Sequence, residues 1–207
     1  MITADYCPTS PDTGRLQRAI AAEYERLALT PDDEFHFHTG YDYAIERLRY
    51  DPAELDQLPD ENVRRFAGLG NPHRAGTYNP GETVLDVGCG AGMDLLVAAM
   101  RVGPRGRVIG VDATPAMLDI ARQGAYETGM LPRVDLRVGR FEKLPVRDVS
   151  ADVVISNGVL NLCADKPAAL RELRRVLKPG GRLYLADAMI MGSFKPAELA
   201  DPKLWAS

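Results

Sequence analysis

The chain has 207 residues, 45% of them hydrophobic and 26% charged, the balance of an ordinary globular protein with one domain and an appendage. A formal net charge of −4 and a pI of about 5.4 leave no electrostatic footprint for nucleic acid. The longest purely apolar run, Leu95 to Met100, falls far short of the ~20 residues that cross a bilayer. Cys7, Cys89 and Cys163 form no CxxC pair, and the opening MITADYCPTS has neither a basic start nor an apolar stretch. These features predict a cytoplasmic chain with free thiols, no disulfide framework, no metal cluster, and no membrane or nucleic-acid partner.

Leu16, Ile20, Tyr24 and Leu27 recur at helical spacing and predict an amphipathic helix over 16–27, stopped by Thr30-Pro31-Asp32-Asp33. The run FHFHTGYDY (35–43) follows, with two of the three histidines. In an extended segment His36 and His38 share one face, Phe35 and Phe37 the other. The plain reading is a lid whose phenylalanines pack inward; the chemical one makes the histidines a base or acceptor-orienting pair. Tyr41 and Tyr43 suit either aromatic capping of a ligand or ordinary packing. Residues 44–50 and 52–57 read as short helices. Gly70, Gly76, Gly81, Pro72, Pro80, Asn71 and Asn79 mark a linker, placed at 61–80.

From Thr83 strand-like and helix-like runs alternate. TVLDV (83–87), RVIGV (107–111), VDLRV (134–138), DVVIS (152–156) and RLYLA (182–186) are strand candidates, with room for a crossover in each gap. Thr114-Pro115 reads as an N-cap and first-turn pair ahead of Met117, Ala121 and Ala125. Leu170, Leu173 and Leu177 mark a helix over 166–177, closed by Pro179-Gly180-Gly181. Arg171, Arg174, Arg175 and Lys178 near its end form a solvated basic face. The pattern predicts a parallel α/β sheet covered by helices on both faces, with a helical N-terminal lid. The lid covers 1–60, the linker 61–80 and the ligand-binding domain 81–207.

Asp86-Val87-Gly88-Cys89-Gly90-Ala91-Gly92 joins a strand to a helix by a glycine-rich turn, where backbone can approach a ligand closely. Asp112 ends the next strand, placed to hydrogen-bond ribose hydroxyls. A carboxylate at Asp86 would repel a pyrophosphate; it suits a ligand carrying an ammonium and a sulfonium. That reading disfavours a nicotinamide dehydrogenase. Cys89, inside the turn, reads as packing.

This turn resembles motif I of class I S-adenosylmethionine-dependent methyltransferases, and VIGVDATPAML, VISNGVLNLCADK and RVLKPGGRL resemble that family's later motifs. YDPAEL…GLGNP (50–72), LPVRDVSADVVISN (144–157) and DPKLW (201–205) resemble its arsenite methyltransferase group. The resemblance implies a doubly wound, mostly parallel α/β sheet with strand order 3-2-1-4-5, S-adenosylmethionine as cofactor and a small-molecule acceptor. Asp86, Gly88, Cys89, Gly90 and Asp94 would shape the methionine pocket, and Asp112 would hold the ribose. Ala113 and Met117 would lie near the adenine, with Phe141 and Glu142 closing that side. Asn157 would lie beside the methyl-transfer site.

The chain departs from the group where arsenic chemistry is concerned. Arsenic(III) is soft and calls for two or three converging thiolates. The group's cysteine after ISN is Gly158 here, and Gly70 is followed directly by Asn71, where the GLG-type segment usually carries another. Cys163 is either a displaced acceptor thiol or a small buried residue ahead of the helix. Alternatives to arsenite are a thiol, phenol or carbon acceptor, and a cofactor-binding protein without turnover. The resemblance also implies further sheet after the fifth strand. The expectation is therefore an apolar edge at 182–186 open to self-association, and a chain that is part of a longer protein.

Overall fold

The structure is a computed structural model that describes residues 13–189. Helix α1 (Thr13–Leu29) leads, followed by the short turns α2 (Gly40–Asp42), α3 (Pro52–Leu55) and α4 (Asp60–Val63). Residues 44–50 hold a π-helical turn, Tyr43–Arg47, where a short helix was expected. Asp51 caps α3 by accepting from the Ala53 N–H at 2.9 Å.

The sheet comprises β1 (Thr83–Val87), β2 (Arg107–Asp112), β3 (Val134–Val138), β4 (Ala151–Asn157) and β5 (Leu177–Ala186). All neighbours pair in parallel, as the alternation predicts, in the order β3-β2-β1-β4-β5 that the family resemblance implies. Helices α5 (Met93–Val102), α6 (Pro115–Glu127) and α7 (Lys166–Val176) carry three crossovers; residues 139–150 join β3 to β4 without a helix.

Successive β residues face opposite layers, which is why near-continuous apolar strands suit a sheet covered on both sides. Val84, Val108, Val153 and Ile155 pack with Leu95, Ala99 and Leu118 of α5 and α6. Leu85, Val87, Val111 and Val154 face Ala169, Leu173 and Val176 of α7. The 61–80 segment is more than a spacer, since Asn62, Val63, Phe66, Pro72 and His73 are buried. Val63 and Phe66 join Tyr50 and Leu55 against Met93, Leu96 and Val97 of α5.

Thr114 is the N-cap of α6 and Pro115 opens its first turn, as expected; Thr114 makes no side-chain cap bond, and its backbone N–H donates to Asp112 Oδ1 at 2.8 Å. The fifth strand starts at Leu177, which pairs with Ala151 before the register jumps to Arg182 against Val153. Pro179-Gly180-Gly181 is thus a bulge inside β5 as well as a helix stop. Among the described residues β5 is a sheet edge, with Leu183 and Leu185 exposed. Cys7 and the 201–205 segment lie outside the described residues.

Candidate active site

Strand β1 lies between β2 and β4, so the chain leaves it in one direction and later returns on the other side. A crevice opens at such a switch point, at the carboxyl ends of the strands. The glycine turn fills its floor. Gly88 and Gly90 have φ of +74° and +49°, left-handed backbone that a side chain resists. A Cβ on Gly88 would lie 2.3 Å from Val159, whereas one on Gly90 would meet nothing within 4 Å. The turn is pinned by Gly88 N–H donating to the Val111 carbonyl at 2.7 Å and Gly90 N–H donating to Asp112 Oδ2 at 2.8 Å.

A cavity above this turn is walled by four pieces of chain. Tyr24 and Ile20 come from α1, Phe66 and Gly68 from the loop after α4, Asn157 to Val159 from the end of β4, and Arg140 to Glu142 from the loop after β3. Asp86, Gly88, Cys89, Gly90, Asp94, Asp112, Ala113, Met117, Phe141, Glu142, Asn157 and Cys163 all line it. Sequence positions 72 residues apart, from Asp86 to Gly158, therefore meet around one space.

Three of the four carboxylates that line the cavity, Asp86, Asp94 and Asp112, come from the ends of β1 and β2 and the start of α5. Asp86 is buried and its Oδ2 has no hydrogen-bond partner. Burial, reinforced by the charges of Asp94 and Asp112, raises its carboxyl well above the usual range. Burial also raises Asp112, opposed by the N–H bonds from Thr114 and Gly90. Asp94 is the most fully partnered. Its Oδ1 accepts from the Tyr50 hydroxyl at 2.6 Å and from His73 Nε2 at 3.1 Å, and its Oδ2 accepts from Asn157 Nδ2 at 3.0 Å. Asn157 also donates to the Gly70 carbonyl at 2.8 Å, and its Oδ1 accepts the N–H groups of Leu69 (2.8 Å) and Gly70 (3.0 Å). Its amide thus ties β4 to the 66–70 loop.

His36 and His38 are not brought to the cavity. His36 lies edge-on to Phe37, 3.6 Å from Glu23, and His38 stacks on Tyr43. Phe35 and Phe37 pack beside Tyr24 against Leu27 and Met117.

The thiols are quiet. Cys89 and Cys163 are free and buried, on opposite faces of the sheet. Burial raises Cys89 well up and Cys163 to about 12, and the Cys163 thiol donates to the Val159 carbonyl at 3.5 Å. Of the positions where the arsenite group's cysteines were sought, Gly158 lies against Leu69, where an added Cβ would be 3.1 Å from Leu69 Cγ, an apolar contact. Among the described residues no group of three His, Cys, Asp or Glu could hold a metal ion.

Tyr24, Tyr50, Asn62 and His73 went unmarked in the sequence. Tyr24 is hidden within an amphipathic stripe, and His73 within a run of turn residues. Only the Pro72-His73 pair, a lone imidazole among turn formers, carried any signal.

A methyltransferase domain family model matches residues 78–205. An arsenite methyltransferase of Halobacterium salinarum is 42% identical over 157 residues, covering 76% of this chain and 40% of that protein. A demethylmenaquinone methyltransferase of Symbiobacterium thermophilum is 37% identical over 111 residues, 54% of this chain and 44% of that protein. The chain thus spans less than half the length of these two relatives. The crystal structure of an arsenic(III) S-adenosylmethionine methyltransferase from Chlamydomonas reinhardtii superposes with a TM-score of 0.67 at 38% identity, over 73% of this chain and 53% of that one. With the strand order, the glycine turn and the carboxylate after β2 in agreement, the chain belongs to the methyltransferase domain family, in its class I, S-adenosylmethionine-dependent form.

Proposed function

We infer that this chain catalyses methyl transfer from S-adenosylmethionine to a small-molecule acceptor. The observation that carries the reading is the buried, unpartnered Asp86 Oδ2 in a cavity lined also by Asp94, Asp112 and Glu142. Such a site disfavours anions and suits a cation. The residues fit the cofactor: Asp86 and Asp94 would face its ammonium, Asp112 its ribose hydroxyls, and Ala113, Met117, Phe141 and Glu142 its adenine. The open side of Gly90 leaves room for its close approach.

The bound cofactor supplies an electrophilic methyl group on a sulfonium. The protein's part is to hold it, align an acceptor in line, and keep water out. Positioning of this kind contributes roughly 7–11 kcal/mol of barrier reduction. Tyr24 and the α1 face cover the cavity on the solvent side, and Asn157 holds the 66–70 rim in place.

Kinship makes arsenite the first acceptor to test. The geometry favours an organic one. A thiol raised to about 12 stays protonated at neutral pH, and Leu69 against Gly158 offers no soft ligand. The described walls also hold no histidine base, so the organic acceptor must bring a nucleophile that ionises readily or needs no base, such as a thiol or an acidic phenol.

A radiolabelled-methyl assay over arsenite, thiols and phenols, on wild type and Cys163→Ser, decides between them. Arsenite methylation lost in Cys163→Ser would establish the arsenite reading and overturn the organic one. Transfer to organic acceptors alone, unchanged in Cys163→Ser, is the expected result. Cofactor binding with no transfer to any acceptor would mark a binding protein without turnover. We also infer a lid role for 1–60, a cytoplasmic setting suited to two free thiols, and self-association through the β5 edge, which sedimentation would detect.

A further inference from the structure

The buried network behind Asp94 has a feature that the cavity itself does not explain. His73 is 2% exposed and lines no part of the cavity, yet both ring nitrogens are engaged. Nε2 meets Asp94 Oδ1 at 3.1 Å, and Nδ1 meets the Tyr78 hydroxyl at 2.7 Å. Only one assignment satisfies every group of a neutral imidazole. Nε2–H donates to the carboxylate, and Nδ1 accepts the Tyr78 O–H. Tyr78 is suited to donate, because burial and the nearby Asp94 charge raise its hydroxyl well above its usual value. The backbone is pinned as well: Arg101 donates to the His73 carbonyl at 2.9 Å while its fork grips Glu54 at 2.8 and 2.7 Å.

A carboxylate offers about four acceptor sites, two on each oxygen. Tyr50 and His73 fill both sites of Asp94 Oδ1, and Asn157 fills one on Oδ2. One site on Oδ2 remains, on a side chain that lines the cavity beside the unpartnered Asp86 Oδ2. Without the Nε2–H, the Asp94 carboxylate could turn and present a different lone pair.

We propose that His73, oriented by Tyr78, is a positioning residue that fixes Asp94 so that Oδ2, together with Asp86, receives the ammonium of the cofactor's amino-acid end. This rests on the methyltransferase reading above. It predicts a defect confined to one end of the ligand.

The test is calorimetric, with S-adenosylhomocysteine and with 5′-methylthioadenosine, which keeps the nucleoside and lacks the amino-acid end. His73→Leu should weaken S-adenosylhomocysteine about tenfold, the loss of one hydrogen bond to a charged group, and leave methylthioadenosine unchanged. His73→Gln, whose amide can still donate to Asp94, should recover most of that affinity. Equal weakening of both ligands, or of neither, overturns the proposal, as does His73→Gln behaving like His73→Leu. Should His73→Leu fail to fold, Tyr78→Phe removes a single hydroxyl and should selectively weaken S-adenosylhomocysteine; equal binding of wild type and Tyr78→Phe overturns the proposal. Nitrogen-15 shifts of His73 in the ligand-free protein should show Nε2 protonated and Nδ1 bare, and the opposite tautomer overturns it. A wild type that binds neither ligand overturns the methyltransferase reading itself, an outcome separate from a wild type that binds and variants that do not discriminate.

Discussion

Asp86 and Asp112 show how one residue type takes two roles in one site. Asp112 is anchored by two backbone N–H groups, whereas Asp86 keeps an oxygen without a partner. Asp112→Ala should therefore lower S-adenosylhomocysteine affinity by about 1.5–3 kcal/mol, measured by calorimetry, and unchanged binding would remove it from the ribose site. Burial and the charges of Asp94 and Asp112 raise the Asp86 carboxyl, which penalises its ionised form in the ligand-free fold. A cationic ligand favours the ionised form, so binding should release a proton, and affinity should fall as pH drops through the raised value. Calorimetry in buffers of different ionisation enthalpy reads this release directly. Asp86→Asn should then raise the melting temperature of the free protein while weakening the ligand.

At the scale of elements, the packing of α4 on α6 turns on one amide. Asn62 Nδ2 donates to the carbonyls of Ala91 (2.6 Å) and Ile120 (3.2 Å), joining the glycine turn to α6. A Cβ on Gly124 of α6 would lie 2.2 Å from Asn62 Oδ1. Helix propensity alone would make Gly124→Ala stabilising by about 1 kcal/mol. Displacing an amide pinned at two carbonyls costs about 1–3 kcal/mol, so the single change should destabilise. In an Asn62→Ala background the clash is gone, and Gly124→Ala should become neutral or stabilising. A double-mutant cycle by chemical denaturation checks the change of sign; strictly additive effects would refute it. The glycine inside α6 reads as a propensity defect in the sequence, and only α4 gives it a reason.

Across the whole molecule, the edge strand is held by ion pairs to the sheet interior. Lys178 reaches Asp152 at 2.8 Å, while Arg182 joins Glu82 at 2.5 Å from the strand's far side of the bulge. Burial raises both acids, but the bonds from Lys178 and the Thr83 N–H on Asp152, and from Asn79 and Arg182 on Glu82, outweigh it and hold both below their usual values. A lowered folded value means stability that is full above the unfolded value and is lost as pH falls through the folded one. Acid denaturation should thus begin at β5. Glu82→Gln should lower neutral-pH stability modestly, as a partly exposed pair allows, leave low-pH stability unchanged, and so make the acid limb shallower by the same amount. An unchanged acid limb in that variant would argue against the tether.

The sequence by itself determined the layered fold, because alternating apolar strands and amphipathic helices permit few arrangements, and the glycine turn with Asp112 marks one end of β1 and β2. Through the family resemblance it also named residues at the strand ends that line the cavity, such as Asp86, Asp112, Phe141 and Asn157. Tertiary structure alone decided the rest. The bulge that starts β5 at Leu177 depends on a register with Ala151, which local propensity cannot encode. His36 and His38 alternate with Phe35 and Phe37 in the sequence, and only the tertiary structure places His36 beside Glu23 of α1 and His38 beside Tyr43, away from the cavity. Tyr50, Asn62 and His73 acquire their roles from partners 44, 29 and 21 residues away, at Asp94, Ala91 and Asp94 respectively. Hydrogen bonds at such separations leave no periodic trace in the chain; they exist only once the sheet and its helices have brought the segments together.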